Sequence, residues 1–205
     1  MTHGVMPRRW LPAAALLLGA LAMPAGAQQP AANGAAAAEP AGPGVGDVAP
    51  DITMAAASRY GVLRDPVRLS DYRGSTVVLA FFPKARTKGC TAQMEAYRDQ
   101  YATLFNNGRG VVVLAVSVDA DTTLAAWARE KDFPVLFGSD PGSKIGQLYG
   151  TANAKSGMEN RNLFVIGPDG RVAHVARPFN VLSAKAYQEL GAVVDSLAPP
   201  VNDEP

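Results

Sequence analysis

The sequence predicts an α/β fold, a mixed central sheet with helices on both faces. Three observations predict it. Apolar runs of β-type composition alternate with segments whose apolar residues recur at helical spacing. The turn Gly167-Pro168-Asp169-Gly170 separates two of the runs and signals a hairpin, so part of the sheet is antiparallel. A last amphipathic stretch after the hairpin supplies a closing helix.

Taken in order, residues 1–27 read as a secretory signal. Arg8 and Arg9 form a positive n-region, Leu11–Ala22 an apolar h-region, and Ala25-Gly26-Ala27 a small-x-small cleavage site. The apolar run is shorter than the ~20 residues of a spanning helix, so no stable membrane association is expected after cleavage. Paired arginines hint weakly at twin-arginine export. No cysteine follows the h-region, so a lipidated N-terminus is not expected. Residues 28–44, rich in Ala, Pro and Gly without periodicity, read as a disordered tether. The folded domain is expected over 45–198, and 199–205 is a polar tail expected to be mobile.

Within the domain, Leu69-Ser70-Asp71-Tyr72-Arg73-Gly74 is a turn into the first long strand, Thr76–Phe82, which ends at Pro83. Further strands are expected over Val111–Val118, Asn162–Ile166 and Arg171–Ala176. The spacing of Met94, Tyr97, Tyr101, Leu104 and Phe105 predicts a helix over Ala92–Phe105. Leu124, Ala125 and Ala128 predict another over Thr122–Lys131, with Asp121 as its N-cap. Ile145–Tyr149 and Ala184–Leu197 complete the set. A β-α-β-α order, then a hairpin and a final helix, is the thioredoxin-like arrangement. No internal repeat is evident.

The chain has 205 residues and a net charge of +1, which argues against nucleic-acid binding and charge-driven membrane adhesion. It has one cysteine, Cys90. In an exported protein, a leftover thiol points to intermolecular pairing or a reactive site. Free cysteine is commonly a small buried hydrophobe. Here Lys84, Arg86 and Lys88 crowd the thiol in sequence, Gly89 precedes it, and a helix-compatible segment begins beside it. That does not read as a core setting. A thiol reacts as its thiolate, which basic neighbours and the unpaired N–H groups of a helix start both favour.

The pattern Pro83-x-x-x-Thr87-x-x-Cys90 resembles the peroxidatic-cysteine signature of the peroxiredoxins, the alkyl hydroperoxide reductase/thiol-specific antioxidant group. The wider match is most similar to its bacterioferritin-comigratory (peroxiredoxin Q) branch. It covers roughly Val45 to Leu197 through seven segments in the family's order: Val45–Asp51, Leu69–Gly74, Pro83–Cys90, Val113–Asp119, Phe133–Leu136, Leu148–Gly150 and Arg161–Ile166.

The resemblance implies a thioredoxin-like fold and a thiol-dependent peroxidase that reduces hydrogen peroxide and organic hydroperoxides, as a monomer or homodimer without a cofactor. Cys90 would be the nucleophile and pass through a sulfenic acid. Thr87 matches the threonine whose hydroxyl bonds thiolate and peroxide. Arg161 matches the arginine that stabilises the thiolate, and Pro83 the proline that shields the sulfur. Two positions depart from the family. Gln93 stands where a glutamate is common, and Glu95 where many peroxiredoxin Q proteins carry a resolving cysteine. The chain therefore resembles a one-cysteine peroxiredoxin whose partner is an external thiol, either low-molecular-weight or thioredoxin-like.

Other candidates are weaker. Asp119 and Asp121 read as a strand end and a helix cap, and His174 has no companion at ligand spacing, so no metal is expected. No phosphate loop or dinucleotide fingerprint is present. The alternative reading is a non-catalytic thioredoxin-fold protein of the cell envelope with a redox-sensing or binding role. A metal carrier of that kind needs soft or imidazole ligands in sets, and one cysteine with His174 supplies too few.

Overall fold

The computed structural model describes residues 42–197. The signal segment 1–27, most of the tether and the tail 199–205 lie outside the described residues. Ten strands occur there: β1 (Thr53–Ser58), β2 (Gly61–Val62), β3 (Val67–Arg68), β4 (Thr76–Phe81), β5 (Val111–Ser117), β6 (Leu136–Ser139), β7 (Ala152–Asn153), β8 (Met158–Glu159), β9 (Leu163–Ile166) and β10 (Val172–Ala176). The α-helices are α1 (Lys88–Asp99), α2 (Tyr101–Leu104), α3 (Asp121–Lys131), α4 (Lys144–Leu148) and α5 (Ala184–Leu197).

Eight strands make one sheet in the order β10-β9-β4-β5-β6-β1-β2, with β3 paired to β1, while β7 and β8 form a separate ribbon. β4, β5 and β6 run parallel. β9 is antiparallel to β4, and β1 antiparallel to β6. The sheet is mixed, as expected. Every residue of β4 is buried, which explains its unbroken apolar run, because a central strand covered on both faces has no polar side. Its side chains alternate between two cores. Val78, Ala80 and Phe82 join the cluster that also contains Met94, Tyr97, Trp127, Tyr187 and Leu190 from α1, α3 and α5. Val77, Leu79 and Phe81 join the opposite cluster with Ile145 of α4 and Tyr149. Truncating Leu79 to Ala would cost about 2–5 kcal/mol, transfer and cavity terms together.

The predicted hairpin is present, with β9 and β10 antiparallel across Gly167–Gly170. Gly170 has φ +78°, and a Cβ there would fall 0.9 Å from the Arg73 guanidinium, so a side chain at this position would strain the turn and displace Arg73.

Four expectations are corrected. The helix expected over Ala92–Phe105 starts earlier, at Lys88, and breaks at Gln100 (φ −114°, ψ 20°) before the short α2. The cap of α3 is Ala120, not Asp121. Asp121 is the first helical residue, and its carboxylate accepts the Thr122 N–H at 2.6 Å while its charge still lies at the positive helix end. Strands β1, β2, β3, β6, β7 and β8 were not expected. Finally, residues 42–44 of the stretch read as a tether are fastened: Gly44 N donates to Asp47 at 2.8 Å, and the Pro43 carbonyl accepts from Arg177 at 3.0 Å. Among the described residues no helix is long and apolar enough to cross a membrane.

Candidate active site

β4 delivers the chain to the site. Phe82 N still bonds the Val116 carbonyl at 2.9 Å, so strand geometry persists up to Pro83. Proline has no N–H to continue the ladder, and the half-buried Pro83 opens the loop. The loop is pinned at Ala85, whose N–H donates to the Asp119 carboxylate at 2.7 Å. The Ser117 hydroxyl donates to the same oxygen at 2.9 Å. Arg86 takes the left-handed conformation with φ +64°, which turns the chain into α1, and its guanidinium pairs with Glu130 on α3.

Thr87 is the N-cap of α1, with extended φ and ψ. Its carbonyl accepts the first helical bond, from Thr91 N at 2.8 Å. The N–H groups that precede Thr91 therefore have no helical acceptor. Cys90 is the third residue of α1, within that first turn.

Arg161 reaches Cys90 because of strand order. β9 is antiparallel to β4, so the segment entering β9 lies at the edge where β4 leaves the sheet. Two backbone bonds hold that segment: Phe81 N to the Asn162 carbonyl at 2.8 Å and Phe179 N to the Arg161 carbonyl at 2.7 Å. The Arg161 side chain then spans to α1. Nη2 donates to Cys90 Sγ at 3.3 Å, and Nη1 donates to Gln93 Oε1. Gln93 Nε2 donates in turn to the Tyr97 hydroxyl at 3.0 Å. Cys90, Gln93 and Tyr97 are each fully buried. Burial pushes the Tyr97 phenol up, outweighing the Gln93 hydrogen bond, so it stays neutral.

One expectation about Cys90 is corrected here. Its side chain is 0% exposed and packs in the core cluster with Phe82, Met94 and Tyr97. The sequence neighbours Lys84, Arg86 and Lys88 are exposed. The cation in contact with the sulfur comes from Arg161, 71 positions away. Gly89 makes room for it, because a Cβ there would sit 3.3 Å from Arg161 Nη2.

The structure thus brings Cys90 and Arg161 together and places Pro83 and Thr87 at the two ends of the same loop. The Thr87 hydroxyl donates to the Lys84 carbonyl at 3.0 Å rather than to the sulfur. Asp119, read in sequence as a strand end, is the loop's anchor. Its acceptor role depends on a backbone N–H 34 positions away, which leaves no local signal. The ring of Tyr97 reads as core from its spacing, and its hydroxyl completes the polar chain. A cavity of about 390 Å³ lined by Ser143, Gln147 and Asn153 borders none of these groups. Among the described residues no cluster of His, Cys, Asp or Glu could hold a metal ion.

This geometry suits nucleophilic chemistry at sulfur. A thiolate at Cys90 would lie in the first turn of α1, at the positive end of the helix, beside a guanidinium that remains charged when desolvated and donates directionally. Comparisons with known proteins agree with it. The family model for AhpC/TSA matches residues 45–175. The selenocysteine-containing peroxiredoxin PrxU of Peptoclostridium acidaminophilum is 36% identical over 135 residues, 62% of this chain and 64% of that protein. Peroxiredoxin Bcp of Escherichia coli strain K12 is 31% identical over 140 residues, 65% of this chain and 85% of that protein. The crystal structure of peroxidoxin BcpB from Mycobacterium tuberculosis superposes with a TM-score of 0.64 at 23% identity, covering 77% of this chain and 99% of that one. The likeness in fold bears out the thioredoxin-like arrangement. The chain belongs to the AhpC/TSA family and is a peroxiredoxin, a thiol-dependent peroxidase.

Proposed function

We propose that Cys90 is the peroxidatic nucleophile of an exported one-cysteine peroxidase, acting on hydrogen peroxide and organic hydroperoxides and restored by an external thiol. The observation that carries this reading is the 3.3 Å contact between Arg161 Nη2 and the sulfur of the chain's only cysteine, in the first turn of α1.

The chemistry follows from these groups. The Cys90 thiolate attacks the near oxygen of the peroxide. An S–O bond forms as the O–O bond breaks, and the far oxygen leaves with the bonding pair, taking a proton to become water or an alcohol. Charge moves from sulfur onto two oxygens, so donors aimed at that line stabilise the transition state more than the ground state. Arg161 supplies such donors, and the N–H groups at the start of α1 supply others. Thr87 serves the same oxygens from the N-cap once its hydroxyl turns from the Lys84 carbonyl. Pro83, half-buried at the start of the loop, helps to shield the sulfur.

The product is a sulfenic acid with no second cysteine in the chain to condense with. An external thiol attacks it, water leaves, and a mixed disulfide forms. A second thiol, from another small molecule or from the same dithiol protein, displaces Cys90 as its thiolate, and the two reductant sulfurs leave joined as a disulfide. Small thiols and an exported thioredoxin-like protein both satisfy this balance. The non-catalytic alternative has no observation in its favour.

Two assays test the reading. Peroxide consumption by the mature chain should require an added thiol and stop in Cys90→Ser, and turnover in Cys90→Ser above a tenth of wild type would refute it. Export is supported by the n-region, h-region and Ala25-Gly26-Ala27 site, and predicts a mature N-terminus at Gln28. Mass spectrometry of cell fractions that finds an intact Met1 chain in the cytoplasm would refute export.

A further inference from the structure

Gln93 has an amide whose orientation is forced. A guanidinium carries only donors, so the atom facing Arg161 must be the carbonyl Oε1. Nε2 is then left to donate, and the Tyr97 oxygen accepts from it at 3.0 Å. The side chain is fully buried, and both of its ends are satisfied. What it lacks is charge. Among the described residues Arg161 forms no ion pair; its side chain touches Gln93 and Cys90.

The other titratable groups around this pair do not compensate it. Tyr97 on α1 and Tyr187 on α5 are phenols that burial pushes up and keeps neutral. Lys84, Arg86 and Lys88 on the loop and helix start are exposed, and Arg86 is occupied by Glu130. Arg161 is half-buried, and a partly desolvated guanidinium without a carboxylate partner is stabilised by a counter-ion. The group positioned to be that counter-ion is the Cys90 thiolate.

We propose that Gln93 is a positioning residue that holds Arg161 on Cys90 without neutralising it, so that the whole guanidinium charge acts on the thiolate and on the oxygens of the bound peroxide. A carboxylate at residue 93 would hold the same nitrogen but share its charge, and would set a second anion near the sulfur. The neutral amide therefore favours an ionised thiol at lower pH than an acidic residue would. The proposal rests on Cys90 being the nucleophile, but it is a statement about thiol acidity and can be tested without peroxide.

The test uses the mature protein and the ultraviolet absorbance of the thiolate against pH, with Cys90→Ser subtracted. In Gln93→Glu the ionisation midpoint of Cys90 should rise by about one pH unit or more, the size expected when a like charge enters such a site. In Gln93→Met, which removes the hydrogen bonds but adds no charge, the midpoint should move less than in Gln93→Glu, while peroxide consumption slows. An unchanged or lowered midpoint in Gln93→Glu, or an equal rise in Gln93→Met, would overturn the proposal. If circular dichroism shows Gln93→Glu unfolded, Arg161→Met takes its place. Its midpoint must also rise, and a wild-type midpoint there would overturn the claim that the guanidinium charge falls on the sulfur. These failures leave the peroxidase reading standing if wild type still consumes peroxide. Failure of wild type to consume peroxide would reject that reading itself, whatever the midpoints.

Discussion

The Asp119 carboxylate accepts the backbone N–H of Ala85 at 2.7 Å, tying the strand end after β5 to the loop that leads into α1 and Cys90. The same oxygen accepts from the Ser117 hydroxyl, and the Asp119 carbonyl accepts from the Ser139 hydroxyl at 2.8 Å. Three adjacent strand ends, those of β4, β5 and β6, are therefore coupled at the edge of the sheet where α1 begins. The loop is held from beneath, with Thr87 as the N-cap residue at its outer end.

Asp119→Ala should therefore lower stability by about 2 kcal/mol, the usual range for losing a hydrogen bond to a charged group. It should also slow peroxide reduction, although Asp119 touches neither sulfur nor guanidinium, because Ala85 loses its anchor. Asp119→Asn keeps an acceptor and should lose less of both. Urea unfolding and peroxide consumption measured on both variants check this. Equal stability in wild type and Asp119→Ala would contradict the anchoring role.

Arg161 places one nitrogen on Cys90 and another on Gln93, a fork that a lysine ammonium cannot reproduce. Arg161→Met should cut the rate constant with peroxide about a hundredfold, equivalent to about 2.7 kcal/mol of transition-state stabilisation. Arg161→Lys should recover part of the loss. Stopped-flow kinetics with excess peroxide separates the cases, and a wild-type rate in Arg161→Met would show that the contact is not catalytic.

Glu159, close in sequence to Arg161, is buried. Its carboxyl accepts from the Ser143 hydroxyl at 2.5 Å and the Thr151 hydroxyl at 2.5 Å. Burial raises its pKa, the two hydroxyls oppose the rise, and nearby Asp140 adds to it. A pKa higher in the folded than in the unfolded state means that the protonated form is the one folding favours. The stability it gives is fully present below the unfolded value of about 4.3 and is lost as pH rises through the raised folded value. Glu159→Gln removes that titration. Thermal unfolding from acid to neutral pH should show wild type losing stability relative to Glu159→Gln as pH rises. A difference independent of pH would contradict it. Gly146→Ala should destabilise the same cluster, since a Cβ there would lie 2.2 Å from Glu159 Oε2.

Much of the sheet was legible because its signals are local. β4, β5, β9 and β10 are apolar runs bounded by turns, and the Gly167–Gly170 hairpin is a four-residue pattern. α5 matched over Ala184–Leu197 because its apolar stripe is clear. β1 was missed because half of Thr53–Ser58 is alanine, and small side chains carry little contrast between its buried and exposed positions. The early start of α1 was missed because Gly89 is a poor helix former. In the site, the resemblance named Cys90 and Arg161. Composition around Cys90 misdirected the reading of its surroundings, because the nearby basic residues face solvent while the effective cation arrives through the β4–β9 pairing. The Gln93–Tyr97 bond was available from helical spacing alone, since residues four apart share a face.

The most direct test of the account is intact-mass measurement of the purified protein after one equivalent of peroxide, with no thiol present. Wild type should gain one oxygen, located at Cys90 by peptide mapping, and a small thiol added afterwards should convert that species to a mixed disulfide. Cys90→Ser should gain nothing. Sustained peroxide consumption with no change of mass at Cys90 would contradict the account.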